Sequence, residues 1–125
     1  MPHVTVERLT VHADTRGSVF EPVGPDALPA QRNVHVVVSE PGAIRGNHLH
    51  PRGTEVIAIQ GPALFRCREG EEVRDTEIPA GEVFRFTIPP GVAHALQNTG
   101  ETTTIAVSFV DVAHDPANTV RAGLL

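Results

Sequence analysis

Residues 48–55 read His48-Leu49-His50-Pro51-Arg52-Gly53-Thr54-Glu55, and a later segment, Pro89-Pro90-Gly91-Val92-Ala93-His94, carries a third imidazole. Side chains alternate between the two faces of a β-strand, so His48 and His50 would point the same way, roughly 6 to 7 Å apart along the backbone. Two imidazoles placed like this can chelate one ion. Together with Glu55 and His94 they make a set of three imidazoles and one carboxylate.

This set of side chains is typical of a site for a divalent transition metal. Imidazole nitrogens and carboxylate oxygens suit zinc, iron, manganese, nickel or copper, and the donor types alone do not choose among these ions. Four protein ligands would still leave coordination positions open for water or a substrate. We therefore predict one bound divalent metal, with His48, His50, Glu55 and His94 as its ligands.

The rest of the chain shows short apolar runs of period two, broken by Gly, Pro and Asn, and hardly any helical periodicity. The clearest runs lie at residues 33–38, 56–60 and 105–111. Gly70 suits a hairpin turn, and residues 26–31 can hold one helical turn at most. Eight or more short strands at this spacing predict an all-β protein, either a jelly-roll barrel or a related closed double sheet.

Alternation also selects polar side chains that would point into such a barrel. His35 is opposite in phase to the valines of its strand and is a candidate for the cavity wall, although an ordinary hydrogen-bonded histidine explains it equally well. Arg85 is a second candidate, for which a solvated sheet face is at least as good an explanation. His3, His12 and His114 have no informative spacing and are expected at the surface.

Composition limits the size of the protein, its partners and its compartment. The chain has 125 residues, enough for one real core, and we expect residues 1–125 to form a single domain. A net charge of -5 argues against nucleic acid or an anionic membrane as the main partner and leaves small molecules or protein surfaces. The single Cys67 excludes an internal disulfide, and no secretory signal is visible, so a cytoplasmic protein is expected. Open sheet edges predict a homodimer.

Two spaced motifs resemble those of a known family. Gly42-x5-His48-x-His50-x4-Glu55-x5-Gly61 is similar to the first cupin motif, and Gly81-x7-Pro89-x-Gly91-x2-His94-x3-Asn98 is similar to the second. Together they cover the central half of the chain. The resemblance implies a cupin jelly-roll β-barrel, usually a dimer, with one metal inside the barrel mouth. It gives the ligand role to His48, His50, Glu55 and His94.

The flanking segments are similar to one branch of the cupins, the enzymes of sugar-nucleotide metabolism. The similar segments are Asp14-x-Arg16-Gly17-Ser18-x-Phe20-Glu21, Arg45-Gly46-Asn47-His48 and Asp115-Pro116-x-Asn118. The branch includes dTDP-sugar 3,5-epimerases, dTDP-ketohexose isomerases and the C-terminal cupin domain of capsular-polysaccharide enzymes. The resemblance implies an enzyme that epimerises or isomerises an activated keto-sugar beside its carbonyl.

That chemistry needs a base to remove a proton and an electrophile to hold the enolate oxygen. The candidates for proton transfer are His94, Glu55 and His35, and a metal can act as the electrophile. Arg45 can neutralise a diphosphate because a guanidinium offers paired donors to phosphate oxygens, but a surface ion pair explains it equally well. Asn47 and Arg85 complete the candidates for substrate binding.

The composition also favours some reactions over others. The chain contains no Tyr, whereas the dTDP-sugar 3,5-epimerases use a Tyr as proton donor, so a double epimerisation by that mechanism is not expected. Two other classes of function stay open. One is a metal-dependent oxygenase, decarboxylase or cyclase acting on a small organic acid or polyketide. The other is a sugar-binding or regulatory cupin without turnover.

Overall fold

The computed structural model describes residues 3–125, which form twelve β-strands and one short 3₁₀ helix. The helix spans Leu28–Ala30. The strands are β1 Thr5–Arg8, β2 His12–Asp14, β3 Gly17–Val19, β4 Asn33–Ser39, β5 Ile44–Leu49, β6 Glu55–Gln60, β7 Ala63–Glu69, β8 Glu72–Ile78, β9 Val83–Ile88, β10 Ala93–Asn98, β11 Thr104–Val110 and β12 Val120–Arg121.

The strands form two five-stranded sheets and one separate hairpin, and every pairing is antiparallel. Sheet I has the order β1-β9-β6-β11-β4, and sheet II has the order β12-β5-β10-β7-β8. The hairpin pairs β2 with β3. Strands that are distant in sequence are therefore neighbours in each sheet. Because residues 3–125 form twelve strands and one short 3₁₀ helix, the predicted all-β fold is confirmed.

Local sequence explains where the strands begin and end. The period-two runs at residues 33–38 and 56–60 lie in β4 and β6, and the run at 105–111 lies in β11 except for its last residue. Gly70 occupies the turn between β7 and β8 with φ +65°, a conformation that glycine adopts without steric cost. The helical turn predicted within residues 26–31 is the 3₁₀ helix.

The core lies between the inner faces of the two sheets. Phe65 of sheet II stacks on Phe86 of sheet I with ring centroids 4.0 Å apart, and both rings are almost fully buried. Stacked aromatic side chains bury large apolar areas and dominate the packing of small cores. Further buried apolar side chains surround the pair, among them Ile57, Ile59, Ile78, Ile88, Val92 and Ala106.

The edge strand β4 turns its apolar side chains away from this core. Val34, Val36 and Val38 are 56%, 67% and 52% exposed. The intervening His35 and Val37 line a cavity between the sheets.

The part of the chain that the structure describes contains no helix with the length and hydropathy needed to span a membrane.

Candidate metal centre

Three imidazoles converge at one end of the space between the sheets. His48 lies near the end of β5, His50 follows that strand, and His94 lies in β10 as the direct cross-strand partner of His48. The ring centroids are 4.6 Å apart for His48 and His50, 4.9 Å for His48 and His94, and 5.7 Å for His50 and His94. One ring nitrogen from each residue lies within 4.8 Å of the others, so this cluster can hold a metal ion.

The carboxylate of Glu55 reaches this cluster from the opposite sheet. Its Oε1 lies 3.1 Å from Nε2 of His94 and 3.6 Å from Nε2 of His50. Its Oε2 accepts a hydrogen bond of 2.5 Å from the hydroxyl of Ser108 on the neighbouring strand β11. All four residues predicted as metal ligands thus lie together, with sheet II supplying the imidazoles and sheet I the carboxylate.

The donor atoms of this cluster are better suited to binding a cation than to hydrogen-bonding with one another. Oε1 of Glu55 and Nε2 of His94 are buried and lie 3.1 Å apart, and neither atom has a hydrogen-bond partner within residues 3–125. A buried polar atom without a partner costs about 1–3 kcal/mol, so such atoms are rare unless a ligand satisfies them. Two imidazole nitrogens directed at one carboxylate oxygen, with the His48 ring beside them, match the donor set of a divalent transition metal.

The surroundings set the charge states of the donors. Burial, followed by the nearby imidazoles of His94 and His50, lowers the pKa of His48 to about 4. Burial alone would raise the pKa of Glu55, but contact with the protonated form of His94, the hydrogen bond from Ser108 and the charge of His50 lower it to about 2. Burial opposes protonation of His94, but its contact with Glu55 outweighs burial and raises the pKa of that imidazole. At neutral pH, His48 is neutral and Glu55 is ionised, as metal ligation requires.

Two backbone carbonyls orient two of the imidazoles. Nδ1 of His94 donates to the carbonyl of Val92 at 3.0 Å, and Nδ1 of His50 donates to the carbonyl of Asn118 at 2.8 Å. A carbonyl can only accept, so the proton of each ring must sit on Nδ1. When the rings are neutral, each keeps a lone pair on Nε2, and both Nε2 atoms face Glu55.

A bulge in β5 allows His48 to approach β10. His48 pairs with His94 and Gly46 with Ala95, so Asn47 is the extra residue between two paired positions. Gly46 has φ +88° and Asn47 has φ +55°, a region that asparagine tolerates better than most residues. A Cβ on Gly46 would lie only 2.8 Å from the carbonyl oxygen of His94, so this close approach requires glycine.

The cluster lies in the wall of a cavity of about 360 Å³ between the sheets. His35 lines this cavity, as the alternation on β4 predicts, and it is the register partner of Ser108. His114, expected at the surface, is exposed but also lines the cavity mouth, with its ring centroid 5.4 Å from that of His35. No spacing in the sequence marks His114, because it reaches His35 only through the pairing of β4 with β11.

The three residues predicted to bind substrate lie in different places. Arg45 lines the cavity and donates to the carbonyl of Val38, so its side chain spans from sheet II to the edge of sheet I. Within residues 3–125, the cavity lining does not include Asn47 or Arg85. The amide of Asn47 is bonded to the backbone of Leu124 and Leu125. The guanidinium of Arg85 is paired with a carboxylate of β1, Glu7.

Comparison with known proteins identifies the family and the fold. The family model for the polysaccharide biosynthesis C-terminal domain matches residues 12–120. The capsular polysaccharide assembling protein CapF from Staphylococcus aureus is 26% identical, with a TM-score of 0.68 over 93% of this chain. Germin-like protein 5-1 from Oryza sativa subsp. japonica is 31% identical over 101 residues, or 76% of this chain. This chain spans 33% of CapF and 45% of the germin-like protein.

Two further solved structures resemble the fold more closely at lower identity. ChmJ, a 3'-monoepimerase from Streptomyces bikiniensis solved with dTDP-quinovose, is 19% identical, with a TM-score of 0.73 over 93% of this chain and 67% of ChmJ. QdtA, a sugar 3,4-ketoisomerase from Thermoanaerobacterium thermosaccharolyticum solved with TDP, is 18% identical, with a TM-score of 0.73 over 94% of this chain and 87% of QdtA. The cupin jelly roll predicted from the two motifs is confirmed.

Proposed function

This chain belongs to the polysaccharide biosynthesis C-terminal domain family, and from that premise we propose that it is a metal-binding cupin enzyme that epimerises or isomerises an activated keto-sugar. The proposed cupin domain comprises the described residues 3–125. The observation that supports it most is the convergence of three imidazoles and a buried carboxylate in the wall of a cavity. The cavity volume of about 360 Å³ suits a small molecule.

The proposed metal ligands are His48, His50, Glu55 and His94. A divalent metal held there would supply Lewis-acid stabilisation of the enolate oxygen that forms when the carbon beside the keto group loses its proton. The identity of the metal, whether zinc, iron, manganese or nickel, is left to measurement because all of them accept this donor set.

Of the three candidates for proton transfer, His35 is best placed to act on a substrate. His94 and Glu55 are buried against each other, whereas His35 faces the cavity from sheet I and is exposed to solvent at the mouth. An exposed imidazole can take a proton from the carbon beside the carbonyl and exchange it with water. Arg45 is the proposed phosphate contact, since it lines the same cavity and its guanidinium offers several donors.

The test is exchange of the proton beside the carbonyl. We would incubate the metal-loaded protein with a panel of 4-keto-6-deoxy nucleotide sugars in deuterated water and follow deuterium incorporation by mass spectrometry. Wild type and His12→Gln, which changes an exposed histidine of β2, should incorporate deuterium with at least one sugar. His35→Gln should lose this exchange while keeping the metal.

Three other outcomes would redirect the proposal. Absence of exchange with every sugar, in a protein that holds its metal, would refute epimerase or isomerase activity. Oxygen consumption with iron and not with zinc would then support the oxygenase alternative. A rise in melting temperature with a sugar, without any product, would support a binding module.

The oligomeric part of the proposal is a homodimer formed through sheet I. Val34, Val36 and Val38 lie beside Val107 and other apolar side chains of β11 on one outer face, and β4 is the last strand of that sheet. An apolar face next to a free strand edge favours association. A second copy can cover both by antiparallel pairing about a twofold axis.

Light scattering tests the homodimer. Wild type should be a dimer at micromolar concentration, and Val36→Lys should give a monomer. The matched control is Val73→Lys, which introduces the same charge at an exposed valine on β8, the edge of sheet II. A monomeric wild type, or equal effects of the two substitutions, would contradict this interface.

A further inference from the structure

The last part of the described chain lies directly beside the metal centre. Residues 118–125, here called the strap, include β12, which pairs antiparallel with β5 at Leu49 and His48. We propose that the strap is a positioning device for the metal site, with Asn118 fixing His50 and Asn47 holding the strap in place. This inference rests on the metal centre proposed above, and it gives Asn47 and Asn118 roles outside substrate contact.

The first step is the anchoring of Asn118. Its side-chain Oδ1 accepts from the backbone N–H of Arg52 at 3.0 Å, and its Nδ2 donates to the carbonyl of Arg52 at 2.8 Å. Its own backbone N–H donates to the carbonyl of Asp115. Asn118 is only 9% exposed. Three hydrogen bonds thus fix the position of the Asn118 carbonyl, the group that accepts the proton of His50.

The second step is the consequence for His50. The 2.8 Å contact keeps the proton on Nδ1 and leaves the Nε2 lone pair directed at Glu55. The equivalent contact of His94 comes from Val92, two residues away, so the local turn supplies it. The contact of His50 comes from a residue 68 positions away. The orientation of His50 therefore depends on the docking of the strap, whereas that of His94 does not.

The third step is the anchor at the other end of the strap. Oδ1 of Asn47 accepts from the backbone N–H groups of Leu124 and Leu125, both at 2.9 Å, and its Nδ2 donates to the carbonyl of Leu125 at 3.2 Å. The backbone carbonyl of Asn47 accepts from Ala122 at 2.8 Å. Asn47 is the bulged residue next to His48. The two anchors therefore lie on either side of the pair of histidines.

The side chain of Asn47 can be removed without straining the backbone. Its φ of +55° is favourable for glycine, so Asn47→Gly keeps the bulge and deletes the three side-chain contacts with the strap. Asn47→Asp keeps the oxygen that accepts from both N–H groups and should restore most of the docking. Arg121→Ala is the matched control, because it shortens an exposed side chain of the strap and leaves the backbone pairing intact.

The experiment has two readouts. Long-range ¹H–¹⁵N NMR of the metal-free protein at pH 8 should show His50 as the Nδ1–H tautomer in wild type, Arg121→Ala and Asn47→Asp. Asn118→Ala and Asn47→Gly should show a mixture of tautomers. Titration with Co²⁺ should give an affinity about 10–100-fold weaker for Asn118→Ala and Asn47→Gly than for wild type, the usual effect of losing a contact to a metal-ligating histidine.

Each outcome separates this inference from the metal centre itself. An unchanged tautomer and unchanged Co²⁺ affinity in both Asn118→Ala and Asn47→Gly would overturn the role of the strap. If Asn118→Ala does not fold, Asn47→Gly and its Asn47→Asp counterpart decide the question. If wild type takes up no Co²⁺, the proposed metal centre is wrong, and the tautomer of His50 alone then decides whether the strap positions that ring.

Discussion

Replacing Gly46 by alanine should both destabilise the protein and weaken the metal site. An L-residue at φ +88° costs about 1–2 kcal/mol. The new Cβ would also lie 2.8 Å from the carbonyl oxygen of His94 and 3.0 Å from Cα of Ala95. These are backbone atoms of β10, so relief of the clash must move that strand, and overpacking of this kind adds about 1–3 kcal/mol. The expected loss of stability is roughly 2–5 kcal/mol.

Gly42 provides the matched control. Its φ is +77°, and a Cβ added to it would meet no atom within 4 Å, so Gly42→Ala should cost only the backbone strain of about 1–2 kcal/mol. An unfolding entropy of about 2.1 cal/mol/K per residue over 125 residues converts 1 kcal/mol into roughly 4 °C. The melting temperature should therefore fall by roughly 8–20 °C for Gly46→Ala and by roughly 4–8 °C for Gly42→Ala.

Calorimetry in the presence of a chelator measures both melting temperatures, and Co²⁺ titration measures the second effect. Only Gly46→Ala should weaken Co²⁺ binding, because only that substitution displaces the strand carrying His94. Equal melting temperatures for the two variants, or full Co²⁺ affinity in Gly46→Ala, would refute the view that the bulge brings β5 and β10 together to form the site.

Three further predictions concern the donors and the core. Ser108→Ala removes the hydroxyl that donates to Glu55 and leaves a buried carboxylate oxygen unpaired. Urea denaturation should therefore show that the free energy of unfolding falls by about 1–3 kcal/mol, and an unchanged midpoint would contradict the contact. The pKa of His48 falls from 6.5 to about 4 on folding because of burial and then the neighbouring imidazoles, so the unfolded chain binds the extra proton between these values. The free energy of unfolding of the metal-free protein should therefore fall as pH is lowered from 6.5 towards 4, and it should fall less steeply in His48→Gln. If wild type and His48→Gln lose stability in parallel over this range, the lowered pKa of His48 is wrong. Phe65→Ala should lower the free energy of unfolding by about 3–5 kcal/mol, as measured by chemical denaturation. A decrease below about 1 kcal/mol would contradict the position of Phe65 in the core.

The metal donors could be predicted because their signal is local. His48 and His50 are two residues apart, so strand alternation predicts that both lie on one side, and His50 does so although β5 ends at Leu49. Glu55 and His94 lie in short motifs with fixed spacing. The structure brings all four together. Their part in metal binding stays a proposal until a metal is measured.

The contacts that surround the donors could not be predicted, because they depend on pairing between distant strands. Ser108 reaches Glu55 only because β11 pairs with β6, and Asn118 reaches His50 only because the strap pairs with β5. Ser108 has no distinctive spacing, and the segment Asp115-Pro116-x-Asn118 marks Asn118 without indicating that it contacts His50. The contacts of Asn47 with the strap could not be predicted for the same reason, since its partners lie more than 70 positions away in the sequence.

The strand β4 shows how alternation can select a face without saying what that face contacts. The pattern correctly separates His35 from Val34 and Val36. Apolar side chains usually turn towards the core, yet here the valines turn outward and the histidine faces the cavity. The period of two fixes which residues share a face, but the burial of that face depends on what packs against it.

Elemental analysis of the purified protein by plasma mass spectrometry tests the central claim most directly. Wild type should carry about one equivalent of a transition metal, and the double variant His48→Ala, His50→Ala should lose it. Loss in the variant would establish the imidazole cluster as the site and identify the ion. No metal in wild type after reconstitution with zinc, iron, manganese and nickel, or equal metal content in the double variant, would contradict the proposed centre.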